Sequence, residues 1–328
     1  MSTGPKVAIY SRSESGHRGD YIRFAKTTFC AERISPYKMF FEARPILFLM
    51  IEDSFFLYVL SSLWRSLCGR RTVGLLFRPG PAVEGATIRL SIKRAFLKSM
   101  KKISLIRTLT IVPFYVEPTY EQIADGWIYD FQLWDLTDRE IAAGKAENAA
   151  FEISEVHGRT VLGAVGSQDR RKGFDIFAQT WVKNSEIRSR YLFLFGGKTA
   201  LDCDELAEQF SANGGKGLNR RISDEDLLSI YAVADLIWCL YSKDYDQASG
   251  IFGRAVQFGI PVLVREGSVS HRICLEKSIP HIASTEDGLA SALNGKLPRR
   301  DPKLGGLLAK QFRLESLATL QAALGHEG

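Results

Sequence analysis

The 328-residue sequence is poor in cysteine and has no motif built from it. Its five cysteines are widely scattered, and no two of them form a C-x-x-C pair. An odd number of cysteines at such spacing argues against a disulfide framework and against a zinc site. We therefore expect a protein of a reducing compartment.

Long uncharged hydrophobic runs are also absent. The nearest approach to a membrane span is residues 45–64, where Glu52 and Asp53 stand near the middle. Each acid would cost about 3 kcal/mol at the centre of a bilayer, so we interpret this stretch as a buried strand, a polar turn and a helix. The N-terminal residues lack the apolar core of a secretory signal peptide. We expect a cytoplasmic location.

The modest net charge of +6 is unevenly distributed along the chain. Residues 1–107 contain 19 Lys/Arg against 7 Asp/Glu, whereas residues 108–155 contain 2 against 10. Within the basic part, residues 89–107 have seven basic residues, no acid and interleaved apolar side chains. We predict a helix that contacts an anionic membrane peripherally, on its inner face. The alternative is a helix that buries its apolar side, and no nucleic-acid-binding motif accompanies the patch.

Short apolar runs alternate with helix-length segments in both halves of the sequence. The runs are 6–11, 45–51, 72–77, 109–115, 160–166, 191–197, 234–241 and 261–266. Their composition is typical of buried parallel strands, and the alternation predicts doubly wound α/β sheets. The acidic stretch 117–155 separates the two series, so we predict Rossmann-like domains at 1–155 and 156–328. Such sheets bind ligands beyond the carboxyl ends of their strands.

The segment G-A-V-G-S-Q-D-R-R-K-G-F-D at 163–175 is the first candidate for a binding site. A strand passes through a polar turn into a helix that starts at Gly173. A helix N-terminus favours phosphate, and Arg170, Arg171 and Lys172 add three cations suited to a diphosphate. The alternative is a solvated basic turn.

The second candidate is the segment 244–264, in which a loop leads into a helix near Ser249. The N–H groups of Gly250, Ile251 and Phe252 would be available to a phosphate. Asp246 could accept hydrogen bonds from sugar hydroxyls. The alternative is an ordinary strand–helix–strand crossover.

Four motifs follow one another at natural spacing in this half of the chain. They are Lys172-Gly173, Gly196-Gly197, the element 222–236, and Gly259-Ile260-Pro261-Val262. In this order they resemble the C-terminal lobe of GT-B glycosyltransferases, particularly the retaining family 4. The resemblance covers about residues 160–300 and only loosely the N-terminal lobe. It implies a GT-B fold, with two Rossmann-like domains facing across a cleft.

The resemblance also implies roles for individual residues. Lys172, with Arg171, would contact the donor diphosphate, and Gly197 would lie at the same site. The backbone from Ser249 to Phe252 would hold phosphate. Asp246 matches the first acid of the family's acidic pair, which faces the transferred sugar, and is therefore our catalytic candidate.

The sequence departs from the family pattern at two places. The second acid of the pair is Arg254, and Gly166-Ser167 replace the arginine that commonly follows the preceding strand. Our hypothesis is that Arg170 or Arg254 supplies the missing cation and contacts the donor.

The N-terminal half has a loop at 13–21 that resembles the glycine-containing loop of GT-B enzymes. Gly16 would lie beside the donor phosphates, and His17 would be a catalytic or acceptor-orienting group. The alternative is a helix-capping loop with an exposed histidine. Asp53, at the end of the second strand, and Arg78, where related enzymes often carry a histidine, are predicted to bind the acceptor.

Together these features predict a hexosyltransferase that moves sugar from a nucleotide-sugar donor to a saccharide or lipid-linked saccharide, in polysaccharide or glycoconjugate biosynthesis. The resemblance implies retention of the anomeric configuration. We expect no metal and no other cofactor, and we attribute the three D-x-D strings to chance. The alternative is a degenerate, non-catalytic GT-B protein that acts as a binding or scaffold subunit. A Rossmann dehydrogenase is disfavoured because no G-x-G-x-x-G follows a strand.

Overall fold

The computed structural model describes residues 6–14, 17–137, 140–141 and 158–325. The chain forms two compact units, each built on one six-stranded parallel sheet. The first unit contains the chain up to Phe131 together with the residues from Phe312 onward, and the second runs from Gln132 to Gln311. The predicted domain boundary at residues 155 and 156 lies outside the described residues.

The first unit contains strands β1 to β6 and helices α1 to α5. Its strands are β1 (Ala8–Tyr10), β2 (Glu32–Arg33), β3 (Ile46–Phe48), β4 (Thr72–Leu76), β5 (Ile106–Thr110) and β6 (Gly126–Trp127). Its helices are α1 (His17–Phe29), α2 (Pro36–Phe41), α3 (Phe55–Leu67), α4 (Gly80–Glu84) and α5 (Ile88–Met100). Residues 45–64 thus form a strand, a turn and a helix, as predicted.

The strand order of the first sheet is β2-β1-β3-β4-β5-β6, with parallel pairing throughout. The chain moves outward from β1 to β2 and then returns to β3 on the other side of β1. The connection that leaves β1 and the connection that leaves β3 therefore run in opposite directions from the carboxyl ends of these two adjacent strands. In open α/β sheets this switch point is where a crevice forms and ligands bind.

The second unit contains strands β7 to β12 and helices α6 to α13. Its strands are β7 (Thr160–Val165), β8 (Tyr191–Gly196), β9 (Lys216–Leu218), β10 (Leu236–Cys239), β11 (Val262–Arg265) and β12 (His281–Ser284). Its helices are α6 (Phe174–Lys183), α7 (Ser185–Arg190), α8 (Asp204–Ala212), α9 (Asp224–Val233), α10 (Gly250–Gln257), α11 (Val269–Lys277), α12 (Leu289–Asn294) and the first part of α13 (Pro302–Leu324).

The strand order of the second sheet is β12-β11-β10-β7-β8-β9, again parallel throughout. Its switch point lies between β7 and β10. The two segments that the sequence singled out, 163–175 and 244–264, follow these two strands. Their first residues are 81 positions apart in the chain, yet the strand order makes their starting points adjacent.

An aromatic core holds α6 against the second sheet. Phe177 packs within 5.3 Å of the Phe193 and Trp238 rings, measured between centroids, and Trp181 packs on Phe193 at the same distance. Buried aromatic rings contribute about 1 kcal/mol per pair beyond their area. This packing fixes the helix that begins at Phe174, and with it the basic turn just before that helix.

Two element boundaries differ from those predicted. The run at 109–115 was expected to be a strand, but β5 is Ile106–Thr110. Residues 111–116 do not continue this strand, because Pro113 has no N–H for a ladder. The helix predicted over 89–107 ends at Met100, since Ile106 and Arg107 already pair with β4.

Candidate functional site

The site at the second switch point is built around Gly166, which directly follows β7. A Cβ placed on Gly166 would lie 3.1 Å from the Lys172 ammonium nitrogen and 3.2 Å from Cδ1 of Ile251. The absence of a side chain there leaves room for the lysine and for the first turn of α10. Residues from both sequence motifs therefore meet at one point.

Three contacts fix the backbone at Lys172 and Gly173. The turn at Arg170–Lys172 is capped by Asp169, whose carboxylate accepts from the Lys172 N–H at 3.0 Å. The Trp238 indole N–H donates to the Lys172 carbonyl at 3.0 Å. Gly173 then adopts a positive φ of 72° and packs on the Leu240 carbonyl, where any Cβ would overlap the oxygen. The backbone of Lys172 is thus held on two sides, whereas none of these contacts involves its side chain.

The ammonium group of Lys172 has no hydrogen bond or ion pair with any other described residue. Burial lowers its pKa, and the nearby Asp169 carboxylate opposes that shift only in part. A half-buried cation without a counter-ion is energetically unfavourable. A bound anion would remove this penalty, which makes Lys172 the strongest candidate for a diphosphate contact.

The start of α10 supplies free backbone donors beside this lysine. Ser249 caps the helix by accepting from the Phe252 N–H at 3.4 Å, and the Tyr241 hydroxyl lies 3.0 Å from the Ser249 oxygen. The N–H groups of Gly250 and Ile251 have no acceptor among the described residues. An unfilled helix N-terminus favours an anion.

The two arginines of the basic turn are already engaged. Arg170 is exposed and forms ion pairs with Asp202 at 2.9 Å and with Asp175 at 3.3 Å. The Arg171 guanidinium lies over the Tyr245 ring, 4.7 Å from its centroid. Of the three cations predicted for the diphosphate, Lys172 is therefore the one without a partner inside the described structure.

Gly197 lies at this site for a packing reason. It follows β8 with a φ of 138°, and a Cβ on it would overlap the carbonyl oxygen of Gly166. The glycine pair that ends β8 thus allows the ends of β7 and β8 to approach closely.

The Asp246 carboxylate anchors the start of α11. One oxygen accepts from the Val269 N–H at 2.8 Å, and the other pairs with Arg265 at 2.9 Å. Both oxygens are engaged within the protein, although the side chain remains 28% exposed. Its predicted role toward the transferred sugar stays a prediction.

Arg254 belongs to a buried ion pair. Its guanidinium lies 2.9 Å from the carboxylate of Asp135, which is only 7% exposed. The Gln257 amide donates to the other oxygen of Asp135 at 2.8 Å and also to the Gln132 carbonyl. These contacts give Arg254 a structural role, and its predicted donor contact stays a prediction.

At the switch point of the first sheet, Asp53 follows β3 and pairs with Arg18 of α1, whose Nε lies 2.9 Å from the carboxylate. Arg12, just after β1, donates to the Asp53 carbonyl at 3.1 Å. Asp53 therefore contacts one residue just before the predicted glycine-containing loop and one residue within it. Gly16 lies outside the described residues, as does the side chain of His17, the first residue of α1.

Arg78 contacts Glu52, the residue that precedes Asp53 in the chain. Its backbone N–H donates to one oxygen of Glu52, and its exposed guanidinium has no hydrogen bond or ion pair with the described residues. The other oxygen of Glu52 is buried without a partner, and this burial raises the pKa of Glu52. A charged residue inside an apolar run was the only sequence signal for this environment.

Two supporting residues of the second site were missed from the sequence. Trp238 holds the Lys172 carbonyl, and Tyr241 holds the cap of α10. Aromatic residues with polar tips at the end of the run 234–241 were the available signal. The same pattern is equally typical of core residues, and both rings are in fact buried.

The whole chain is similar in structure to solved glycosyltransferases. Anabaena HepE, solved in complex with UDP and glucose, aligns over 97% of this chain and 98% of its own, with a TM-score of 0.64 and 13% identity. WaaG, a glycosyltransferase involved in lipopolysaccharide biosynthesis, aligns over 98% and 100%, with a TM-score of 0.53 and 16% identity. No protein-family profile and no curated protein sequence matches.

A UDP-forming α,α-trehalose-phosphate synthase of Burkholderia xenovorans aligns over 96% of this chain and 79% of its own, with a TM-score of 0.57 and 12% identity. Together with the two parallel α/β sheets, these similarities show that the chain has the GT-B fold, as the sequence predicted.

Two kinds of feature are absent from the described residues. No helix there is long and apolar enough to cross a bilayer. Nor does any cluster of three His, Cys, Asp or Glu side chains there have the arrangement of a metal site.

Proposed function

We propose that this protein is a glycosyltransferase that takes a hexosyl group from a nucleotide-sugar donor. The donor diphosphate binds at the switch point of the second sheet, against Lys172 and the first turn of α10. The observation that carries the proposal is that the unpaired Lys172 ammonium and the Ile251 side chain, from the first turn of α10, both border Gly166. The similarity to HepE, solved with UDP and glucose, supports it.

The chemistry required of this site is stabilisation of a leaving group. In transfer, the bond between the anomeric carbon and the diphosphate oxygen breaks, and a bond to an acceptor oxygen forms. The acceptor hydroxyl loses its proton, and negative charge develops on the diphosphate. A preorganised cation and helix dipole stabilise that charge more in the transition state than in the bound donor. We propose that transfer retains the anomeric configuration and needs no metal.

We propose a saccharide or lipid-linked saccharide as the acceptor, which places the enzyme in polysaccharide or glycoconjugate biosynthesis. Asp53 and the exposed guanidinium of Arg78, at the carboxyl edge of the first sheet, are the proposed acceptor contacts. The protein would act in the cytoplasm, in peripheral contact with the inner face of an anionic membrane.

The donor site is tested by calorimetric titration with UDP, GDP and their glucose conjugates. We expect one diphosphate to bind and Lys172→Met to weaken it about 10- to 100-fold, because a charge-assisted hydrogen bond contributes about 1.5–3 kcal/mol. Lys183→Met, which removes an exposed lysine of α6, is the control and should bind normally. Equal affinities of the two variants would refute the placement of the diphosphate.

Catalysis is tested by donor hydrolysis and by transfer to added saccharides. We expect slow hydrolysis of the matching nucleotide sugar, retention of configuration by NMR, and unchanged rates in the presence of a chelator. A product of inverted configuration, or inactivation by the chelator, would refute the corresponding part of the proposal.

The engagement of Asp246 and Arg254 with protein partners favours a second candidate, a GT-B protein that binds a nucleotide sugar without turnover. The same experiments separate the two. Binding followed by hydrolysis or transfer identifies an enzyme, whereas binding of an intact donor over long incubation identifies the non-catalytic form.

A further inference from the structure

Three neighbouring helices of the first unit expose large apolar side chains. On α3 these are Phe56, Leu60, Trp64 and Leu67; on α2 they are Tyr37 and Phe41; on α5 they are Ile88, Ile92 and Phe96. Leu60 is 63% exposed and Leu67 is 84% exposed. Contiguous apolar surface of this kind on a protein marks an interaction site. We call these nine side chains the apolar face.

Contacts between the helices show that the apolar face is continuous. The Trp64 indole N–H donates to the Phe40 carbonyl at 3.2 Å, which joins α3 to α2. The Lys93 ammonium lies 5.1 Å above the Phe55 ring, which joins α5 to α3. Between α3 and α5 runs an apolar groove of about 410 Å³, with Leu63 on one wall and Phe96 among the residues of the other.

The opposite side of α3 is held firmly in the unit. Arg65 is buried and donates to the carbonyl oxygens of Met39 at 3.0 Å, Arg44 at 2.7 Å and Arg71 at 2.9 Å. Rotating α3 to bury its apolar side would leave these carbonyls and the guanidinium without partners, which is unfavourable for buried polar groups. The exposure of the apolar face is thus built into the fold.

The charged side chains on the three helices of the apolar face have one sign. None of the helices α2, α3 and α5 contains an acidic residue. Some of their basic side chains bond within the protein, such as Arg94 to the Ala82 carbonyl and Lys98 to Gln122. Arg89 and Lys93 form no hydrogen bond or ion pair within the described structure. The face therefore complements an anionic partner.

A pocket of about 570 Å³ opens onto this face between the start of α3 and the start of α5. Arg89 and Lys93 line it, together with Asp53, which pairs with Arg18, and Glu52, whose second carboxylate oxygen is buried without a partner. Phe56 and Ile92 line it as well and belong to the apolar face. The pocket combines two cations that have no hydrogen bond or ion pair within the described structure with a carboxyl oxygen that lacks a donor.

We propose that the apolar face docks on an anionic bilayer, with one phospholipid headgroup seated in this pocket. The phosphate contacts Arg89 and Lys93, and a headgroup hydroxyl donates to Glu52. The proposal deepens the peripheral membrane contact of the proposed function: the contact is centred on α3, and the basic helix α5 forms its rim.

Aromatic and aliphatic side chains ringed by Lys and Arg are what an interfacial surface requires. The apolar chains enter the headgroup region, and each nearby basic residue adds about 1 kcal/mol of attraction to an anionic leaflet. A protein partner would present acids only at fixed points, whereas a leaflet presents phosphate along the whole face.

The test is co-sedimentation of the full chain with phosphatidylcholine vesicles, either pure or with about one third phosphatidylglycerol. We expect binding to the anionic vesicles and a loss of at least about tenfold in Leu60→Glu/Leu67→Glu, since a carboxylate replaces each apolar contact. The control is Leu314→Glu, on α13 of the same unit, where the leucine is 69% exposed. Equal binding of the two variants would overturn the docking face.

The headgroup pocket is tested by Arg89→Gln against Lys26→Gln, an exposed lysine on α1 of the same unit. We expect Arg89→Gln to weaken binding to anionic vesicles about fivefold, as about 1 kcal/mol implies, and Lys26→Gln to leave it unchanged. Equal effects of the two variants would overturn the pocket. So would full release of the protein by millimolar glycerol phosphate, which would identify a site for free phosphate instead.

Failure of this inference is distinguishable from failure of the proposed function. Donor hydrolysis in the absence of vesicles should be the same for wild type and Leu60→Glu/Leu67→Glu. A protein that hydrolyses nucleotide sugar but ignores anionic vesicles retains its function and loses this inference. A protein that binds anionic vesicles but no nucleotide supports this inference and refutes the proposed function.

Discussion

A Cβ on Gly197 would lie 1.8 Å from the carbonyl oxygen of Gly166, so the ends of β7 and β8 approach each other with no room for a side chain. Gly166 in turn borders the Lys172 ammonium nitrogen. The two glycines therefore determine how closely the backbone surrounds the candidate diphosphate site.

Gly197→Ala should destabilise the protein far more than Gly214→Ala. Both glycines have positive φ, but a Cβ on Gly214 meets nothing within 4 Å. We expect a loss of about 1 kcal/mol for Gly214→Ala from backbone strain alone, and about 3 kcal/mol or more for Gly197→Ala from overpacking. Urea unfolding of both variants measures the difference, and similar midpoints would contradict the close approach at Gly166.

Lys172→Met should stabilise the ligand-free protein at neutral pH. Burial lowers the pKa of Lys172 in the folded state, so the charged form costs stability below that pKa. The cost disappears as the pH rises through the folded pKa toward the unfolded value of about 10.4. The gain of the variant over wild type should therefore shrink between pH 7 and about pH 10, as measured by denaturant unfolding. A gain that is independent of pH would show that charge burial is not its cause.

Arg254→Met should destabilise the second unit by about 3 kcal/mol, because it leaves the buried Asp135 carboxylate without its counter-ion. The double variant Arg254→Met/Asp135→Leu should recover most of that loss, since an apolar pair replaces the ion pair. Unfolding experiments on the three proteins test this coupling. Nucleotide titration of the double variant then tests the predicted contact of Arg254 with the donor; affinity within about threefold of wild type, or about 0.7 kcal/mol, would refute that contact.

Glu52→Gln should stabilise the protein at pH 7 and lose that advantage in acid. Burial raises the pKa of Glu52, opposed in part by the Arg78 N–H. A raised pKa means that the folded state is favoured below the unfolded value of about 4.3 and loses this stability as the pH rises through the folded pKa. Thermal unfolding between pH 4 and pH 7, with the exposed Glu84→Gln as control, measures the effect. Parallel pH profiles for the two variants would contradict it.

Much of the local structure was predictable from periodicity and turn chemistry. Most of the predicted strands begin and end within a few residues of the observed ones, and the basic turn at Arg170–Lys172 does precede a helix that follows Gly173. These features depend on residues that are close together in the chain, so a local sequence pattern is enough to predict them. The four edge strands, β2, β6, β9 and β12, were missed, because runs of two to four residues carry little periodicity.

The environments of the site residues were not predictable in the same way. Arg170, Arg171 and Lys172 look equivalent in the sequence, yet Asp202 and Tyr245 engage the two arginines and leave the lysine alone. Likewise, the sequence gives no sign that Arg254 faces Asp135, 119 residues earlier. Long-range partners decide which charge is available to a ligand.

The amino-acid sequence by itself determined two series of strands and helices, the glycines that punctuate them, and the position of a phosphate-binding motif in the chain. Those properties follow from local sterics and from the burial of apolar runs. Only the tertiary structure decided the strand order, which places β10 next to β7 and so brings Ile251 and Lys172 to the same glycine. It also decided which side chains remained unpaired, because hydrogen bonds and ion pairs form between surfaces that meet only after the sheet has assembled.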